Sequence, residues 1–325
     1  MSLPDTVPKF VARPGTPQWY AARKTGIGAS RAAAACGMSK YGSPLTVYEE
    51  LLGESEEQIE NKHTRFGKFM EPAIIAMYRD ELDDDDIGVE YPLAMYRHPE
   101  WKFMLATPDA CEVDLRGGSH HVGLEIKTID PMYAKAIDLV ELGIEEALPE
   151  YVIQAQQQMA VMTWRSVKIV MLLGKELRIW EIYRDEETIA LIKECEEDLW
   201  NRVQNRNPPP VTSHLDLTAF RKKLNVAGSV VPLSNANSAD WEQYEELGQQ
   251  IKALNEQRDL LKAKVLAEIG DAPAGLLPNG THMIRRKIID KEAYEVRAQS
   301  VLDVRKVKYD GSPIVVPQQE TRAAS

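Results

Sequence analysis

The stretch from Ala106 to Thr128 constrains this chain more than any other: two apolar-flanked runs separated by Gly-Gly-Ser, with Asp109 near the start of the first and Glu125-Ile126-Lys127 in the second. That pattern predicts two adjoining strands joined by a turn. Side chains of a strand alternate between faces, so Glu125 and Lys127 emerge on one side and Leu124 and Ile126 on the other. Two carboxylates and one ammonium then share an edge. Such a grouping suits the holding of Mg²⁺ and the steering of a water at a phosphodiester.

Glu-x-Lys occurs three times, at Glu60-Asn61-Lys62, Glu100-Trp101-Lys102 and Glu125-Ile126-Lys127. Only the third lies in an apolar-flanked strand downstream of a Pro-Asp pair. By pattern alone it also reads as an exposed strand of alternating charge. As a metal edge, Asp109 and Glu125 are the direct oxygen ligands and the Ile126 carbonyl is placed to add a third. Lys127 then orients or deprotonates a water and offsets charge on the phosphate. Glu71 follows Gly67 by one turn of a helical run, and Gly67 would let that helix approach a sheet. Taken alone, Glu71 reads as a solvent-facing glutamate.

Elsewhere helices and strands are interspersed. The opening to about Gln18 is Pro-rich and irregular. Trp19 to Arg23 reads as a helical turn, and Ser30 as an N-cap ahead of Ala32 to Ala35, closed by Gly37. Ser43-Pro44 opens a helix that ends at Gly53. Thr64 to Met77 is read as a helix with Phe66, Phe69, Met70, Ile74 and Met77 on its core face. Strands are expected at Gly88 to Tyr96, Phe103 to Thr107, Ala110 to Leu115 and Gly123 to Thr128. A helix containing Gln154 to Met162 with Pro149 near its first turn, a hairpin of Val167 to Leu173 with Leu177 to Tyr183, and a helix from Asp185 to Gln204 complete the series. The fold class is therefore α/β or α+β, a mixed central sheet flanked by helices, in a domain of residues 1–215.

Pro208-Pro209-Pro210 and the polar run from Asn225 mark a linker over 216–239. In residues 240–325, Tyr244, Leu247, Ile251, Leu254, Leu261 and Val265 form a coiled-coil-like stripe interrupted by Arg258. A hairpin at Pro278-Asn279-Gly280, a basic strand from Met283 to Ile289 and a disordered tail follow.

A net charge of −11 counts against nucleic-acid binding if read as one number. Its distribution says otherwise. Met1 to Tyr48 carries Lys9, Arg13, Arg23, Lys24, Arg31 and Lys40 against Asp5 alone, and binding to DNA depends on local neutralisation of phosphates. Cys36, Cys111 and Cys195 are too scattered for a disulfide framework or a zinc site and read as free thiols. No run of eighteen apolar residues and no signal-like N-terminus are present, so the expected location is the cytoplasm with no membrane partner. His120-His121 reads as a turn, Asp83 to Asp86 as a solvated loop, and Gln156 to Gln158 as a plain helix face.

Five ordered motifs complete the reading: Arg23-Lys24-Thr25-Gly26-Ile27-Gly28-Ala29-Ser30, Phe66-Gly67-x-x-x-Glu71, Thr107-Pro108-Asp109, Leu124-Glu125-Ile126-Lys127, and Pro149-x-Tyr151-x-x-Gln154-x-Gln156-x-x-Met159. Together they resemble the phage lambda exonuclease and YqaJ-type viral recombinase nucleases of the PD-(D/E)xK superfamily, over about Trp19 to Gln204. The resemblance implies a restriction-endonuclease-like core and Mg²⁺ dependence, with Mn²⁺ as a substitute and two ions expected. It implies digestion of double-stranded DNA from 5′ to 3′, with release of mononucleotides, by a ring-shaped homotrimer. The 3′ single-stranded tails would pass to a phage-type single-strand annealing protein, in a bacterial host carrying a phage or prophage.

By match to the family pattern, Asp109, Glu125, Lys127 and Glu71 are catalytic, and Gln154 sits beside them. Arg23, Ser30 and Thr107 would contact the terminal 5′-phosphate, with Gln156 near them. An arginine fork and a hydroxyl near backbone N–H groups are suited to that anion. Where many relatives carry an acid after the serine, this chain has Arg31. The alternatives are another PD-(D/E)xK nuclease, internal or of the other polarity, and a DNA-end-binding protein without cleavage.

Overall fold

The computed structural model describes residues 7–53, 62–82, 84–117, 121–217, 220 and 230–285, divided into two units between Lys223 and Leu224. The first unit opens with β1 (Lys9–Ala12) and α1 (Pro17–Ala22), so the segment expected to be irregular already contains a strand. Thr16 caps α1 by accepting from the Trp19 N–H, and Pro17 supplies a pre-set φ in the first turn. β2 (Ile27–Gly28) leads into a 3₁₀ turn (Ala29–Arg31) and α2 (Ala32–Ala35). Ser30 lies inside that turn and is not an N-cap: Gly28 and Arg31 hold the cap positions, neither with a side-chain cap bond.

α3 (Pro44–Leu52) has the ends its sequence predicts, a Ser43–Thr46 capping box and a left-handed Gly53. α4 (Lys62–Asp80) is longer than its periodicity suggested. Ile74, Ile75 and Tyr78 bury against Ala110, Leu124, Ile126 and Val170, whereas Phe66 and Phe69, expected in the core, are 54% and 68% exposed. Only the C-terminal half of α4 contributes fully buried side chains to this cluster, so helical spacing found the stripe but not its end.

The run expected as one strand over Gly88 to Tyr96 divides into β3 (Ile87–Glu90) and β4 (Met95–Arg97). Pro92, with no N–H to give a ladder, stands between them. β5 (Met104–Ala106), β6 (Ala110–Asp114) and β7 (His121–Ile129) follow, then three short helices, α5 (Pro131–Ala136), α6 (Leu139–Leu142) and α7 (Ile144–Ala147). α8 (Pro149–Met162), the hairpin of β8 (Ser166–Leu173) and β9 (Glu176–Tyr183), and α9 (Glu186–Gln204) match the sequence reading, Asp185 capping α9.

Two mixed sheets result. One has the order β3-β6-β7-β8-β9 and is antiparallel except for β7 with β8; the other has the order β1-β4-β5-β2 and is antiparallel except for β2 with β5. α8 contributes to the cores of both: Ala155 and Met159 pack with Val167, Ile169 and Met171, and Ile153, Ala160 and Val161 pack with Met104 and Ala106. Each buried Val, Ile or Met among them contributes about 1.5–3 kcal/mol. The unit is closed near its end by the buried Asp216, whose carboxylate accepts from Ser43 and from the N–H groups of Thr212 and Ser213 at 2.9 Å.

Gly123 marks the tightest packing on β7: a Cβ there would stand 2.4 Å from the Trp164 ring and 2.9 Å from Val167. Gly123→Ala should therefore destabilise the protein by about 1–3 kcal/mol through overpacking. Denaturant unfolding reads this directly; a neutral result would mean that Trp164 swings aside without cost.

The second unit holds α10 (Asn235–Ile269), which starts inside the stretch read as linker, and a hairpin of β10 (Ala274–Leu276) with β11 (Met283–Arg285). Tyr244, Leu247, Ile251, Leu254, Leu261 and Val265 are exposed along α10. The remainder of the expected strand to Ile289, the tail, and the turn at 118–120 lie outside the described residues. Among the described residues, no helix is long and apolar enough to cross a membrane.

Candidate active site

Alternation along β7 sets the chemistry. Leu124 and Ile126 enter the core against α4, and Glu125 and Lys127 take the opposite face. A cleft of about 440 Å³ brings together Arg23, Ser30, Thr107, Glu71, Asp109, Glu125, Lys127 and Gln154, eight side chains that lie up to 131 positions apart in the chain. Arg31 and Lys68 line it as well. Of the six N-terminal cations, Arg23 and Arg31 line the cleft, joined there by Lys68 and Lys127.

Asp109 sits between β5 and β6, and its Oδ2 accepts the Ile126 N–H at 2.7 Å. Burial pushes its carboxyl well above the usual carboxylate range, and the charges of Glu125 and Glu71 push the same way, against Lys127 and the Ile126 N–H. Glu71 is raised too, by burial and by Glu125, while the Tyr91 hydroxyl and Lys127 oppose. For Lys127, burial favours loss of the proton, but Glu125 and Asp109 outweigh it and hold the ammonium above its ordinary value. Lys127 is thus a cation and a donor, suited to orienting a water more than to deprotonating one.

Glu125 is 2% exposed and fully engaged. Its Oε1 accepts from Lys127 Nζ and, at 2.6 Å, from Gln154 Nε2; its Oε2 accepts from Gln158 Nε2 at 2.5 Å. Lys127 also lies 4.9 Å from the centre of the Tyr151 ring. Tyr91 has no place in the motifs, Tyr151 stands in the fifth motif without a role, and Gln158, on what reads as a plain helix face, holds Glu125. The available signal was three successive glutamines, which turn through some 200° of helix and cannot all face solvent on a packed helix.

The second half of the cleft has its own order. Trp19 Nε1 donates to Thr107 Oγ1 at 3.4 Å, and the Arg23 guanidinium lies 4.9 Å from the centre of the Trp19 ring. Arg31 is tied to Glu50 at 2.9 Å and donates to the Arg23 carbonyl at 3.3 Å, bracing the arginine beside it. Ser30 is exposed to the cleft. Gln156 is elsewhere: it is buried, donating to the Tyr183 carbonyl at 2.8 Å and accepting from the Asp185 N–H at 3.0 Å. It holds the β9–α9 connection and does not line the cleft, because one step along a helix turns a side chain by about 100°.

The donors present suit a hard cation. Among the described residues no three His, Cys, Asp or Glu side chains form a closed cage. Mg²⁺ needs none, since it keeps several waters and takes one or two carboxylates plus phosphate oxygens. Asp109 and Glu125 are placed to supply those carboxylates, with Glu71 on the same cleft, and a divalent cation would offset both the burial that chiefly raises Asp109 and Glu71 and the added repulsion from Glu125.

Residues 18–165 match the YqaJ-like viral recombinase domain, in accord with the motif resemblance. The uncharacterised protein YqaJ of Bacillus subtilis (strain 168) is 28% identical over 272 residues, covering 81% of each chain. Among solved structures, an alkaline exonuclease (LHK-Exo) from Laribacter hongkongensis is 25% identical, with 59% of this chain and 94% of that one covered and a TM-score of 0.48. Its complex with dAMP covers 63% and 98% at the same identity and TM-score. A phage-related exonuclease from Haemophilus somnus 129PT is 14% identical, covering 56% and 94%, with a TM-score of 0.44.

Proposed function

We propose, from the YqaJ-like domain over residues 18–165 and the cleft it contains, that this protein is a Mg²⁺-dependent exonuclease that degrades double-stranded DNA from 5′ ends. The observation that carries the reading is the union, in one cleft, of an acid-and-lysine edge with a separate anion pocket. An enzyme that cuts internally needs only the first. A pocket of Arg23, Ser30 and Thr107 adds recognition of a terminal phosphate.

Asp109 and Glu125, with the Ile126 carbonyl and Glu71, would hold the metal. Bound there, one or two Mg²⁺ ions, or Mn²⁺ in their place, would supply Lewis acidity at the phosphate. Arg23, stacked on Trp19, makes a forked contact to the 5′-phosphate, and Ser30 and Thr107 offer hydroxyl donors to it. Lys127 orients the attacking water and offsets charge on the phosphodiester. Gln154 keeps Glu125 in place. The proposal includes a homotrimer ring around the duplex and delivery of the 3′ tails to a single-strand annealing protein.

The test offers three substrates, linear duplex with 5′-phosphate, linear duplex with 5′-hydroxyl and a closed circle, with Mg²⁺ or chelator. Expected is mononucleotide release from linear DNA only, favoured by the 5′-phosphate and absent in chelator, from a particle of three chains in light scattering. Cutting of the closed circle would sink the end-directed reading, and activity in chelator would sink the metal.

A further inference from the structure

Gln157 and Gln158 are both fully buried on α8, in the part of the protein that touches both halves of the cleft. Gln158 and Gln154, one turn apart, grip the two oxygens of Glu125, one each. Gln157 points elsewhere. Its Nε2 donates to the Ile27 carbonyl at 2.9 Å and to the Leu105 carbonyl at 3.0 Å. Those two carbonyls belong to β2 and β5, the parallel pair that delivers Ser30 from one strand and Thr107 from the other.

A buried amide costs free energy unless its groups are satisfied. The Gln157 amide meets this condition on its donor side through the two carbonyls, and the fully buried Glu196 of α9 lies near it. Burial raises the Glu196 carboxyl well above its ordinary range, and the neighbouring Gln157 side chain opposes that shift. A helix side chain that donates to a carbonyl of each of two paired strands is a strut between α8 and that pair. Since α8 also packs into the apolar cores beneath both sheets, its backbone cannot shift at one half of the cleft without moving the other.

We propose that α8 sets the separation between the 5′-phosphate pocket and the hydrolytic edge, with Gln157 positioning the pocket strands and Gln158 positioning Glu125. The inference rests on the end-directed reading above. Neither glutamine touches DNA or metal in this arrangement; both act through the groups they hold. Because the two glutamines serve different halves, their loss has different consequences, and a merely structural role would not separate them.

The experiment compares the full-length wild type with Gln157→Met and Gln158→Met, which keep length but lose the donors. Three quantities are read: the ratio of affinities for 5′-phosphorylated and 5′-hydroxyl duplex by anisotropy in chelator, Mn²⁺ affinity by calorimetry without DNA, and the Mg²⁺ midpoint of mononucleotide release. Gln157→Met is expected to lose about tenfold in the affinity ratio and to keep the wild-type Mn²⁺ affinity. Gln158→Met is expected to keep the ratio and to lose about 10- to 100-fold in Mn²⁺ affinity, the range seen when groups behind a metal ligand are removed. If Gln157→Met does not fold in a thermal melt, Gln157→Asn, one methylene short, takes its place with the same expectation. An unchanged ratio in the Gln157 variant, or equal losses of ratio and metal affinity in both variants, overturns the proposal. A wild type that ignores the 5′-phosphate overturns the end-directed reading and the inference with it, so the two failures are told apart.

Discussion

Lys127→Ala is expected to lower mononucleotide release by about 10²- to 10³-fold or more while leaving duplex affinity within a few-fold of wild type. Removing one preorganised donor from a developing oxyanion costs rates of that order. Lys127 is also the cation next to Glu125 and near Asp109, so its loss leaves both carboxylates less compensated. The ammonium is a point donor set against the Gln154 amide and the Tyr151 ring, and a guanidinium fork has a different shape, so Lys127→Arg should restore little. Release rates on 5′-phosphorylated duplex, with anisotropy as the binding control, measure both claims. Full activity of the alanine variant would remove Lys127 from the chemistry.

Asp109→Asn should abolish activity and at the same time stabilise the metal-free protein. Loss of one carboxylate from the proposed metal site would forfeit several kcal/mol of charge stabilisation, or at least about 10²- to 10³-fold in rate. The amide can still accept the Ile126 N–H that Asp109 now accepts at 2.7 Å. What it removes is a buried charge pressed against Glu125 and Glu71.

The sign follows from linkage. The folded-state pKa values of Asp109 and Glu71 are raised, so the native state binds more protons than the unfolded chain above about pH 4. Their contribution to stability is complete below that pH and is lost as pH rises through the raised values. In chelator the wild-type melting temperature should therefore fall from mildly acid to alkaline pH, less so in Asp109→Asn, and Mg²⁺ should recover more of it at the alkaline end. A melting temperature lowered by Asp109→Asn would contradict the buried-repulsion account.

Much of the local structure is legible in the sequence. Ser43-Pro44 and Gly53 bound α3 because caps act within one turn, and Asp185 opens α9 for the same reason. The pairing of β6 with β7 and the β8–β9 hairpin follow from period-two runs flanking short turns. Failures came where a remote partner decides. Phe66 and Phe69 keep the helical spacing of a core stripe, yet only the C-terminal half of α4 buries side chains completely in that cluster. Gly67 stands where a close-approach glycine is expected, but a Cβ there meets nothing nearer than Thr128 Oγ1 at 3.9 Å. Ser30 has the chemistry of a cap and occupies a turn that needs none.

By itself the sequence determined the acid-and-lysine edge, because alternation along one strand is a local rule: Glu125 and Lys127 share a face whatever surrounds them. It also supplied, through ordered motifs, the family resemblance that named Arg23, Ser30, Thr107, Glu71 and Gln154. Tertiary structure alone decided which of these meet. Gln154 and Gln156 stand two positions apart, yet one holds Glu125 and the other the β9–α9 connection. Their neighbours Gln157 and Gln158, unremarkable in sequence, became the struts between the two halves of the cleft. Residues on a helix fan out by about 100° per step, and only the sheets packed around α8 fix what each direction contains.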